Sequence, residues 1–267
     1  MLKDITLGQY FPGNTIVHRL DPRTKLILVT VYLVALFTAN TLFALGLVAV
    51  YLGMIIVVSK TKMRLLIKGL KPLIIILTVT GLLNVFFTPG EPIFTLWRLV
   101  VTWDGVSRGV ILVLRVVMMV MGTSILTYTT PPMALTDGLE SLMKPLKRIR
   151  IPVHELAMIM SITLRFIPAL IEETDKIMNA QKARGADFET GNIIRRARAM
   201  LPLLIPLFMS AFRRAEELAI AMESRCYHGG VGRTRMRALK FARCDVIAGL
   251  VAAGLFGAVM GLVVIGL

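Results

Sequence analysis

The chain has 267 residues, 56% of them hydrophobic, and a mean hydropathy of +0.74. Several apolar runs exceed what a water-soluble domain of this size needs, which excludes a soluble globular protein and indicates an integral membrane protein. The formal net charge of +15 does not indicate nucleic acid as a partner, because Lys and Arg cluster beside apolar runs rather than among aromatic or Gly-rich RNA-binding patterns.

A polar stretch precedes the first apolar run and lacks a small-residue cleavage site, so no removable signal peptide is expected and the mature chain is read as the whole chain. Within that stretch, Asp21 followed by Pro22 reads as a helix N-cap with proline at the first position. The first apolar run extends from Leu26 to Val58 and is interrupted by Ala39-Asn40-Thr41. As one helix it would reach about 50 Å at 1.5 Å per residue, against a bilayer core of about 30 Å. Both flanks are basic, with Arg19, Arg23 and Lys25 before it and Lys60, Lys62, Arg64, Lys68 and Lys71 after it. A hairpin of two short helices turning at Asn40 keeps both flanks in the cytoplasm, as the positive-inside rule requires.

A third span is expected from about Pro72 to Phe87, followed by a loop that begins Thr88-Pro89-Gly90-Glu91-Pro92 and holds Trp97 and Trp103, suited to an interface, with Arg98. The fourth span runs from about Val106 to Thr129 and stops at Pro131-Pro132. Arg115 within it is costly at that depth, and no acidic residue in a span offers it a partner; a tilted helix or backbone carbonyls would have to satisfy it, in a structural or a functional role. Arg108 is near enough to the outer end to snorkel.

Residues 131 to 243 hold 19 of the 31 Lys and Arg residues. Ala199 to Phe212 is too short for a span, and Ile151 to Ile171 carries His154, Glu155 and Arg165, whose central charges cost roughly 2.5 to 3.5 kcal/mol each. Making both into spans would also export Lys176, Lys182, Arg184, Arg195, Arg196 and Arg198. The segment is therefore read as cytoplasmic, and Val246 to Leu267 as a fifth span in which Ala253, Gly257 and Gly261 form a small-residue stripe. The expected topology has the N-terminus cytoplasmic and the C-terminus outside, with 28 of 31 basic residues inside. The fold class is all-α: a polytopic membrane protein of about five transmembrane helices plus long amphipathic cytoplasmic helices. Its regions are 1–130 with four spans, 131–243 cytoplasmic, and 244–267 as the last helix.

Pro145, Pro152 and Gly191 divide the cytoplasmic segment into a short helix around Leu135 to Met143 and long ones from about Val153 to Arg184 and Asn192 to Tyr227. Leu156, Ile159, Met160, Phe166, Ile167 and Leu170 give the first long helix one apolar face, opposite Glu172, Glu173, Asp175 and Lys176. Pro168, Pro202 and Pro206 are expected to bend the two helices. Gly185 and the pair Gly229-Gly230 fit helix ends. One short pattern closes both: Ala183-Arg184-Gly185 and Ser224-Arg225-Cys226, an arginine between small residues. Such arginines either reach into a partner's acidic groove or answer the helix dipole. Two alike tips point to a two-lobed partner.

Little else in the chain carries chemistry. Cys226 and Cys244 have neither metal-ligand nor disulfide spacing and are read as reduced thiols, and His18, His154 and His228 are scattered. Nine of the 16 methionines fall in residues 131 to 243, a mild enrichment that ordinary packing explains. No phosphate-loop motif is present, so any ATP must be hydrolysed by another chain. An intramembrane enzyme using Glu172 and Glu173 as acid and base is an alternative, although no His, Cys or Ser constellation accompanies them. An ion-coupled carrier would need acidic residues within the spans, and the reading finds none.

Leu20-Asp21-Pro22-Arg23-Thr24-Lys25-Leu26, Leu164-Arg165-Phe166-Ile167-Pro168 and Gln181-Lys182-Ala183-Arg184-Gly185 resemble the transmembrane T component of energy-coupling factor (ECF) ABC-type vitamin transporters, over nearly the whole chain. In that family, two Ala-Arg-Gly motifs at the tips of crossed coupling helices dock onto a pair of ABC-type ATPases. The resemblance implies that Ala183, Arg184 and Gly185 form the first motif; Ser224, Arg225 and Cys226 stand at the second, keeping the arginine and replacing its neighbours. The opening Asp4-Ile5-Thr6-Leu7-Gly8-Gln9-Tyr10 is similar to T components shared by several substrate-binding subunits. It further implies a place in the cell membrane beside one substrate-binding membrane S component, no cofactor or catalysis in this chain, and ATP bound only by the partner ATPases.

Overall fold

The computed structural model describes residues 10–89, 92–96, 99–186, 188, 192–229 and 239–265. The stretch Asp4 to Gln9, Trp97, Arg98, Gly191 and Gly230, all used in the sequence reading, lie outside them. The chain divides into two compact units: one within residues 143–237, called the coupling unit after the role that the family resemblance implies for its helices, and one within 8–142 and 238–267, called the membrane unit.

The membrane unit begins with a one-turn helix, α1 (Ile16–Arg19), followed by α2 (Pro22–Thr38). Asp21 caps α2 as expected: its carboxylate accepts from the Arg23 backbone N–H at 2.9 Å, and Pro22 takes the first position. The chain turns at Ala39-Asn40, and Thr41 caps α3 (Leu42–Ser59) through its hydroxyl. This is the expected hairpin. The next helix starts earlier than the sequence reading had it: α4 (Met63–Leu70) passes through a 3-10 turn, Lys71–Leu73, into α5 (Ile74–Phe87). Pro72 tightens one turn without starting the helix, because its missing N–H costs little at the head of a 3-10 segment. Where a loop was expected, strands β1 (Pro92–Leu96) and β2 (Leu99–Thr102) pair antiparallel, with Leu96 opposite Leu99. Two helices follow, α6 (Trp103–Thr129) and α7 (Pro132–Leu142). The C-terminal α8 to α10 are split between the units: α8 (Val153–Ala183) and α9 (Ile193–Glu223) form the coupling unit with a 3-10 turn, Lys144–Ile149, and α10 (Arg243–Ile265) returns to the membrane unit.

Five described helices are long and apolar enough to cross a membrane: α3, the continuous α4–α5, α6, α8 and α10. The total matches the expected five, but the membership differs. At 17 residues, α2 spans about 26 Å, and α8 qualifies by length and composition although its charges led the sequence reading to exclude it. All the same, α2 is the central element, packed against α3, α6, α7 and α10. The core of the unit joins Tyr32 and Leu36 of α2 with Leu45, Val48 and Leu52 of α3, Met118 and Ile125 of α6, and Leu255 and Val259 of α10. Outward positions are also apolar, as on Phe43, Val57 and Ile75, each at least 74% exposed. An apolar exterior around an apolar core suits hydrocarbon as solvent.

Small residues set the closest helix approaches. On α6, Gly105 and Gly109 face α5 backbone carbonyls of Asn84, Val85 and Gly81, so α5 and α6 meet backbone to backbone. The stripe Ala253, Gly257, Gly261 is different: Ala253 and Gly257 are exposed, and no neighbour stands within 4 Å of a Cβ built on Gly257 or Gly261. It serves no contact inside the described unit, whose α10 contacts use Ala252, Leu255 and Val259.

At Gly122 of α6, a Cβ would press into the Tyr32 ring, which is tethered by its hydroxyl donating to the Met118 carbonyl at 2.9 Å. Gly122→Ala is expected to cost about 1–3 kcal/mol, read as a lower thermal midpoint of the detergent-purified protein. An unchanged midpoint would mean that α2 and α6 do not approach this closely.

Candidate functional site

The coupling unit is built from two helices of equal length, 31 residues each, which run on through Pro168 in α8 and through Pro202 and Pro206 in α9. Glu173 and Arg214 join them, Nη2 to Oε2 at 2.7 Å. The position of this pair sets the geometry. In a symmetric antiparallel hairpin Glu173 would lie opposite a residue near position 203, so its partner Arg214 is offset from that register by 11 residues. Arg184 lies 11 residues beyond Glu173, and Arg225 lies 11 beyond Arg214. Each arm from the ion pair to its arginine is thus about 16 Å at 1.5 Å per residue.

The two ends share one backbone form. At the first, Gly185 has φ +86°, its N–H donates to the Lys182 carbonyl (3.0 Å), and the Ala186 N–H reaches back to Gln181 (3.0 Å). At the second, Cys226 has φ +54°, its N–H donates to Glu223 (2.9 Å), and the Tyr227 N–H reaches back to Met222 (3.1 Å). Both are Schellman ends, in which a left-handed residue lets the chain fold back on the last turn. The arginine is the last residue before the left-handed one in each case. Ala183, Arg184, Gly185, Ser224, Arg225 and Cys226 are all exposed. The sequence departs from Ala-Arg-Gly at the second tip, yet the backbone does not: Cys226 adopts the conformation that glycine adopts at 185.

On α9, Leu201, Leu204, Ile205, Phe208, Met209 and Phe212 form one exposed apolar face at helical spacing, with Phe208 and Phe212 stacked at 6.5 Å between centroids. The carboxylates proposed as acid and base do not make a joint site. Glu172 is exposed, and Glu173 is held by Arg214.

In the membrane unit, Arg115 finds the backbone partner that the sequence reading allowed for. Its Nη2 donates to the Ala39 carbonyl at 2.6 Å and to Asn40 Oδ1 at 3.3 Å, tying α6 to the α2–α3 turn. That assigns it a structural role. Asp245 was missed altogether. It sits in the first turn of α10, only 4% exposed, with one carboxylate oxygen accepting from the Asp21 N–H (2.9 Å) and the other from the Ala242 N–H (2.7 Å). Beside it, Lys25 donates to the carbonyls of His18 (3.2 Å) and Thr129 (3.0 Å) and to Thr130 Oγ1 (3.1 Å). The second of the two N–H bonds to Asp245 is the half capping box that an acidic residue three positions after a helix start makes. That signal was legible, but the run was read as starting at Val246.

An apolar cavity of about 340 Å³ opens among α2, α3, α6 and α10. Of the polar groups in its lining, Lys25 is engaged as above, Tyr32 with Met118, and Thr129 Oγ1 with the Ile125 carbonyl at 2.8 Å, and Tyr51 and Cys244 border it as well.

The shared end geometry makes the two tips unequal in strain. Cys226→Gly is expected to stabilise the second end by about 1 kcal/mol, whereas Gly185→Ala should cost a similar amount at the first. Hydrogen exchange at the Tyr227 and Ala186 amides checks this: Tyr227 should slow in the first variant and Ala186 quicken in the second.

The comparisons with known proteins agree with this architecture. Residues 13–236 match the family described as Cobalt transport protein (CbiQ). The chain is 50% identical over 254 residues to the energy-coupling factor transporter transmembrane protein EcfT of Thermosediminibacter oceani, covering 95% of this chain and 96% of that one. It is 51% identical to the protein of that name from Acidaminococcus fermentans, over 96% of each chain. For that of Bacillus subtilis the figures are 47% identity over 92% of this chain and 93% of the relative. The chain belongs to this family of energy-coupling factor transporter transmembrane proteins, as a multi-pass, non-catalytic transporter component.

Proposed function

We propose that this chain is the coupling subunit of an ECF-type ABC importer for a vitamin or micronutrient. Two separate ABC-type ATPase subunits bind and hydrolyse ATP and take one arginine tip each. Their closure displaces α8 and α9, and the crossed pair moves one substrate-binding membrane subunit so that it releases its cargo inside. One observation carries this reading: two arginines in the same exposed Schellman end, each 11 residues beyond its partner in the Glu173–Arg214 pair. A two-lobed partner engages two equivalent points. The exposed face of α9 from Leu201 to Phe212 suits an apolar partner surface, which assigns it to the substrate-binding subunit. Charge supports a cytoplasmic α8 and α9, because reading them as spans would carry Lys176, Lys182 and Arg184 outside.

Docking is tested by co-purification with an ECF-type ATPase pair. Arg184→Ala and Arg225→Ala should each weaken the complex by about 2–5 kcal/mol, and the double change should abolish it. Undiminished association with both arginines replaced removes them as docking groups.

Orientation is tested with the two natural thiols, both exposed. In intact cells a membrane-impermeant maleimide should leave Cys226 and Cys244 unlabelled until the membrane is permeabilised, while a cysteine added after Leu267 should label at once. Labelling of Cys226 from outside would reverse the assignment of the coupling unit.

A further inference from the structure

Five of the nine buried polar or charged side chains among the described residues, Asp21, Lys25, Thr129, Thr130 and Asp245, meet at one point of the membrane unit. Three helix ends converge there. The Asp245 carboxylate bridges the N-caps of α2 and α10, and the Lys25 ammonium spends all three donors, two of them on the last residues of α6 and the turn after it. The charges match the helix dipoles, an anion at two N-termini and a cation at a C-terminus. Around them, the Arg23 guanidinium lies over the Phe241 ring at 5.5 Å, and Gly138 of α7 packs against Pro22.

The place of this cluster in the chain gives it significance. Residues 143–237 of the coupling unit leave and rejoin the membrane unit at two points of the chain, after Leu142 and before Ala238. The outgoing connection follows Thr129, Thr130 and α7; the returning one arrives at Phe241, Ala242 and Asp245. Both are fastened to the same first turn of α2. Slippage of either would strand a buried charge or leave buried amides unpaired, so the attachment resists being pulled.

We propose that this cluster is the fixed root of the coupling unit, with Asp245 and Lys25 as positioning residues that keep both connections from yielding when the arginine tips are displaced. Tip displacement then reaches the substrate-binding subunit instead of being lost in the connections. The inference rests on the coupling role proposed above.

The test uses the complete complex, this chain with its ATPase pair and substrate-binding subunit in liposomes, and measures ATP hydrolysis and substrate uptake in the same vesicles. Asp245→Asn and Lys25→Met are compared with Thr130→Val, which removes one acceptor and strands no charge, and with Lys25→Arg. Hydrolysis by the recovered complex should stay within about twofold of normal, while uptake per ATP falls about tenfold in the first two and about threefold in Thr130→Val. Lys25→Arg should recover part of the loss. Uptake and hydrolysis falling together, in proportion to complex recovered, would overturn the inference, as would unchanged uptake per ATP in Thr130→Val. No ATP-dependent uptake by the unaltered complex would overturn the coupling role itself, before any variant is compared.

Discussion

A carboxylate and an ammonium buried at the meeting point of three helix ends organise the membrane unit. Each helix end leaves backbone groups without intrahelical partners, and away from water each such group is costly. Asp245 answers the N–H groups of two helices at once, and Lys25 answers carbonyls before α2 and at the end of α6. Burying either charge alone would cost several kcal/mol. Together, and fully hydrogen-bonded, they fix where α2 begins, where α6 stops and where α10 returns. The apolar core of Leu36, Leu45, Val48 and Val259 fills in along helices already aligned by their ends.

The coupling unit is built on different physics. It has few buried side chains, Val153, Ala157 and Leu203 among them, and a partly exposed ion pair between its two long helices, a kind of contact that is weak alone. Its ends are defined by backbone conformation. A unit that keeps its apolar face of α9 open and its arginines exposed is incomplete by itself, which is expected of a subunit that works between partners.

The second tip shows why motif letters understate a structural match. Glycine is favoured at the end of a Schellman motif because it enters the left-handed region without cost, but cysteine enters it at about 1 kcal/mol. Cys226 therefore gives the same turn as Gly185, and Ser224 is exposed as Ala183 is.

Hydropathy and charge determined the helical class, the α2–α3 turn at Asn40, the Asp21 cap and the two long helices almost to their ends, because each depends on local properties: apolar run length, a capping side chain, a left-handed residue. The start of α4 escaped because Pro72 reads as a helix start when it only tightens a turn inside one. Charges also made α8 look unlike a span while its length and composition admit one. What only the tertiary structure decided are the long-range pairs: Asp245 with Asp21, 224 residues apart, Lys25 with Thr129, 104 apart, Arg115 with Ala39, and Glu173 with Arg214. The sequence places charges in helices but does not say which ends meet, and the free energy of a buried charge is set by the partner that folding brings to it.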